Sequence, residues 1–184
     1  MKNKYIRILA LTGASLFTIP MLSAAENPAL MEPVKSVYVE YIDIQTALAK
    51  DSLAGVSENA TALAKAIQGD PMKMLPPEVA RQAANLARAK DLASARAALK
   101  PLSNSLIGYL AQKKVTPGPY YQAYCPMAKA SWLQADRTLI NNPYMGKSMA
   151  TCGQILPQFT VPKSAAPSGH AEHAPQSGHS GHNH

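Results

Sequence analysis

The stretch VKSVYVEYIDIQTALAK, residues 34–50, decides the fold class. Val34, Val37, Tyr41, Ile44 and Leu48 recur at three- and four-residue steps, the spacing that collects side chains on one face of a helix. A first helix is therefore expected between Met31 and Lys50. Asp51 is then placed to cap a second helix, whose apolar face carries Leu53, Val56, Ala60, Leu63 and Ile67 and which Gly69 would stop.

Beyond the loop GDPMKMLPP, Pro77 suits the first turn of a third helix reaching about Lys90, with Val79, Ala83 and Leu86 inward. Asp91 suits the cap of a fourth, with Leu92, Ala95, Leu99, Leu102, Leu106 and Leu110 on its apolar side and Pro101 expected to kink it by removing one backbone donor. Short connections favour antiparallel neighbours, so the sequence predicts an all-α protein: an up-and-down four-helix bundle. A Cys/Met-containing loop-helix segment is expected to follow it, and then, from Pro157, a disordered tail with almost nothing to bury.

At the other end, Lys2, Lys4 and Arg7 precede an apolar run from Ile8 to Leu22 that closes on Ser23-Ala24-Ala25. That is the pattern of a secretory signal peptide over residues 1–25, which predicts an exported, periplasmic chain with one domain over 26–156 and a tail over 157–184. No later stretch is apolar enough to predict stable membrane insertion. Of the formal charge of +7, three belong to Lys2, Lys4 and Arg7, which leaves +4 for the mature chain. The remaining lysines and arginines are scattered, so no nucleic-acid surface is expected.

Both cysteines lie in YQAYCPMAKASWLQADRTLINNPYMGKSMATCG, residues 121–153. In an oxidising compartment two cysteines suggest a disulfide, which would stabilise the fold by about 3 kcal/mol in the chain-entropy description. The same sulfurs suit a soft metal ion: copper(I) prefers thiolate and thioether ligands. Cys125 and Met127 flank Pro126, while Met145, Met149 and Cys152 would share a face if a helix ran from Pro143 to Gly153. Spacing leaves the choice between staple and metal site open. The chain pairs no nucleophile with a base and has no Cys-x-x-Cys motif, so no enzyme is expected.

Tyr124-Cys125-Pro126-Met127-Ala128, Trp132-Leu133, Asn142-Pro143-Tyr144, Gly146, Met149 and Cys152-Gly153 together resemble a bacterial domain family of formally unknown function. That family occurs as small secreted proteins and fused to periplasmic adaptor subunits of heavy-metal efflux pumps. The resemblance implies copper, silver or related metal handling, with Cys125, Met127, Met149 and Cys152 as the matching sulfur positions and an efflux component as a partner. Met145 stands where the family pattern more often has a second aromatic residue.

All five histidines, His170, His173, His179, His182 and His184, fall in the last fifteen residues. Neutral imidazole suits copper(II), zinc and nickel, so the tail is expected to bind borderline metals while the domain binds copper(I).

Overall fold

The computed structural model describes residues 30–116 and 118–161. The segment read as a signal peptide and the five tail histidines lie outside the described residues.

Four helices form where the apolar periodicity places them: α1 (Val34–Ala49), α2 (Val56–Gln68), α3 (Pro77–Ala87) and α4 (Leu92–Gln112), each packed on the next. Val37, Tyr41, Ile44, Leu63, Val79, Leu86, Leu99, Leu102 and Leu106 are all buried in one core. Pro77 occupies the first turn of α3. Asp91 caps α4, its Oδ1 accepting from the Ser94 amide at 2.7 Å while its own amide donates back to Ser94 Oγ. α4 continues through Pro101 to Gln112. No described helix is long and apolar enough to cross a membrane.

Asp51 does not cap α2. The chain turns through residues 50–55, and Gly55, at φ 75°, stands at the cap position instead. The Asp51 carboxylate points away, to the Arg96 guanidinium on α4 and to the Lys147 amide, 3.0 Å from Oδ2.

The all-α expectation fails after residue 120. Tyr121–Cys125 (β1), Ala130–Gln134 (β2) and Gln154–Ile155 (β3) form an antiparallel sheet in the order β2-β1-β3. Ala123 lies opposite Trp132, Cys125 opposite Ala130 and Tyr124 opposite Gln154. β2 is buried along its whole length and packs on α4 and α1, so it lacks the alternation of polar and apolar residues by which a half-buried strand is recognised. Its hairpin carries the aromatic residues Tyr121 and Tyr124 on β1 and Trp132 on β2, with no valine, isoleucine or threonine in either strand.

The helix expected from Pro143 to Gly153 is a single 3-10 turn, Gly146–Met149. Gly146 has φ 57°, a left-handed conformation that an α-helix cannot pass through, so Met145, Met149 and Cys152 do not share a helical face. A Cβ at Gly146 would collide with Asp51 and Arg96. The first residues read as tail also pack on the domain: Phe159 is buried, and the Thr160 amide donates to Gln122 Oε1 at 2.7 Å. Packing against the sheet therefore continues through Phe159 and Thr160.

Helices and sheet are joined by buried hydroxyls. Tyr41 Oη lies 2.6 Å from Ser103 Oγ and accepts from the Leu133 amide of β2; Tyr144 Oη donates to Ser103 Oγ or to the Ser131 carbonyl, at 3.0 and 3.1 Å. Burial pushes the Tyr41 phenol up to about 12, so it remains a neutral donor at any physiological pH.

Candidate functional site

The sheet builds a second, smaller apolar cluster. Ala123, Cys125 and Trp132 form its buried centre, with Ala128, Ile140, Tyr144, Met145, Cys152 and Ile155 packed around them. Cys125 ends β1, just before the tight turn Pro126–Lys129, and is wholly buried. Cys152 precedes β3 and is half-buried. The pairing of β1 with β3 brings these residues, 27 apart in sequence, together: Cys125 Sγ and Cys152 Sγ lie 2.8 Å apart as free thiols.

Two residues make that approach feasible. Gly153 has φ 141°, and a Cβ there would stand 2.8 Å from Trp132 Cη2 and 3.0 Å from the Tyr124 carbonyl, so a side chain would push β3 off β1. Asn142 is fully buried and pins the returning chain: its Nδ2 donates to the Cys152 carbonyl at 2.7 Å, and its Oδ1 accepts from the amides of Tyr144 and Met145 at 2.9 and 3.1 Å. From α4, Arg96 Nε donates to the Pro143 carbonyl at 2.7 Å and holds the same loop from outside.

The two thiols are electrostatically unequal. Burial raises the Cys125 thiol, but hydrogen bonds from Cys152, from the amides of Ala128 and Met127 and from Asn142 outweigh it, and the net effect is below the ordinary thiol range. Cys152 is pushed up by its hydrogen bond with Cys125 first and by burial second. The Ala128 amide lies 3.4 Å from Cys125 Sγ. A thiolate at Cys125 is thus met by peptide N–H groups, the donors that also stabilise metal-bound thiolates.

The methionines divide differently from their spacing. Met145 packs against the Cys125–Trp132 cluster. Met127 is exposed, at 62 %, on the hairpin turn, and Met149 is exposed at 36 % on the 3-10 turn. Among the described residues no group of three or more His, Cys, Asp and Glu side chains converges; the sulfurs brought together here are those of Cys125 and Cys152, with Met145 packed against the same cluster. Asn142 has no place among the residues picked for their ligand chemistry. The signal for it was present, an amide side chain directly before a proline in a stretch that must bury its ends.

Residues 37–118 match a family model described as a protein of unknown function (DUF3347). A DUF3347 domain of unknown function lies there. The match takes in most of α1 and all of α2, α3 and α4 and stops before β1, so the sulfur pair belongs to the part of the chain beyond it. No curated protein and no solved structure matches the chain.

Proposed function

We propose that this is an exported, periplasmic metal-binding protein without catalytic turnover, which sequesters copper(I) or passes it to an efflux system through Cys125 and Cys152. The observation that carries the reading is the meeting of the two thiols at 2.8 Å, one buried and one half-buried, with Met145 packed against the same apolar cluster. Thiolate and thioether sulfur suit a soft monovalent cation over a hard one. Metal–thiolate bonds of about 2.3 Å require the two sulfurs to stand farther apart than they do here. Cys125 is fixed at the end of a paired strand, so Cys152 is the residue that would give way. The five tail histidines would add a separate site for copper(II), zinc or nickel.

Burial of Cys125 supports a second reading, a disulfide-stapled helical module that docks to an efflux component or another periplasmic partner and holds no metal. A copper(I) competition titration under reducing conditions separates the two. Wild type should retain one copper(I) that Cys125→Ser/Cys152→Ser loses; because both proteins carry the tail, the difference reports the sulfurs alone. Equal affinity would leave the stapled module.

A further inference from the structure

The two faces of the β1–β2 hairpin differ. Ala123, Cys125 and Trp132 build the sulfur cluster on one face, whereas Gln122 and Tyr124 on β1 and Ser131, opposite Tyr124 on β2, belong to the other. That second face floors a cleft of about 540 Å³, a size suited to a small molecule. Asn104 of α4, Pro126 and Leu156 also line it. The wall that contains Thr160 is held in place by Gln122, whose Oε1 accepts from the Thr160 amide at 2.7 Å while Nε2 donates to the Thr160 carbonyl at 3.2 Å.

The charge of the lining is one-sided. Among the described residues that line the cleft there is no aspartate, glutamate, arginine or histidine, and Lys129 is the one charged group. Lys129 is exposed on the hairpin turn, and no described carboxylate pairs with its ammonium. Its backbone has φ 46°, the left-handed conformation for which a tight turn favours glycine or asparagine. The turn therefore carries a long cationic side chain where backbone geometry alone would select against one. Ser131 is buried, and its Oγ accepts from Gln122 Nε2 at 3.4 Å, which leaves its own O–H to donate.

We propose that this cleft is a binding site for a small organic monocarboxylate with an apolar body. One negative charge matches the single ammonium, and the Ser131 hydroxyl supplies a second donor to the same carboxylate. Tyr124, Pro126 and Leu156 take the apolar part. A dianion would bring a charge that the lining does not balance, and a neutral molecule would leave the ammonium unmatched. The site uses no sulfur atom and stands apart from the copper(I) reading.

The test is a titration of the full-length, reduced, metal-free chain with phenylacetate, hexanoate and N-acetylphenylalanine, followed by the shifts of its backbone amides in NMR spectra. At least one of these should bind saturably and move the amides of Tyr124, Lys129, Ser131 and Thr160. Phenylethanol and hexanol, which keep the body without the charge, and acetate, which keeps the charge without the body, should bind at least ~tenfold more weakly. Lys129→Gln should weaken binding at least ~tenfold, Lys129→Arg should retain it, and added salt should weaken it in wild type. No saturable shift from any of the three carboxylates, shifts centred outside the cleft, equal binding of the alcohols or of acetate, or equal binding by Lys129→Gln would each overturn the proposal.

Discussion

The two halves of this molecule are held together by different forces. From residue 34 to 112 the core is apolar side chain on apolar side chain, and the principal buried polar groups of the helices, Gln45 and Ser103, turn toward the other half. From residue 121 to 161 the interior includes Gln122, Ser131, Gln134 and Asn142; the side chains of Gln122, Gln134 and Asn142 bond to backbone groups, and Ser131 Oγ accepts from Gln122 Nε2. Gln134 alone gathers the Trp132 indole, the carbonyls of Asp136 and Leu139 and the Asn141 amide. The first half is stabilised by area removed from water, the second by polar groups that become costly as soon as one partner is lost.

The sharpest way to break the contrast is one substitution on each side. Leu106→Ala removes a fully buried side chain from the helical core and should cost about 2–5 kcal/mol, read as a lower urea midpoint for the whole unit. Asn142→Leu keeps the volume but strands the Cys152 carbonyl and the Tyr144 and Met145 amides, a loss of about 2–3 kcal/mol. Its effect should be local: faster hydrogen exchange over residues 140–156 with α2 and α3 unchanged. Uniform acceleration would show that the two halves unfold as one.

The smallest effect is in acid. Hydrogen bonds hold three carboxyls below their usual value of 3.8: Asp91 by the Ser94 amide, Asp136 by the amides of Leu139 and Thr138, and Asp51 by Arg96 and the Lys147 amide. A carboxyl more acidic in the folded chain than in the unfolded one stabilises the fold fully above the unfolded value. That contribution is lost as pH falls through the folded one. The urea midpoint should therefore be flat above about pH 5 and drop below about pH 4. Asp51→Asn, which spans both halves, should flatten that drop more than Asp91→Asn or Asp136→Asn. An equal response from all three would remove the bridging role assigned to Asp51.

The same division explains what the sequence made legible. α1 to α4 follow from apolar residues at helical spacing, and the helix starts at Pro77 and Asp91 from local chemistry that needs no tertiary context. Asp51 misleads because a good capping residue was drawn to a distant arginine. The hairpin is hidden because β2 is buried on both faces and so does not alternate. Composition alone draws attention to Cys125 and Cys152, but which methionine lies beside them depends on a left-handed glycine and a four-residue turn. Periodicity counted from Met145 to Cys152 assumes a helix that Gly146 forbids.

Arg96 and Asp51 hold the loop that carries Cys152 from positions 45 residues apart on the helical side, and Tyr41, Gln45 and Ser103 grip the same region from within. None of these five residues lies in the segment that contains the cysteines. Residues 121–156 excised as a peptide, or grafted onto another scaffold, would keep every sulfur and lose the anchors that set the sulfurs face to face. The thiol pair is a property of the whole folded unit and is not a portable motif.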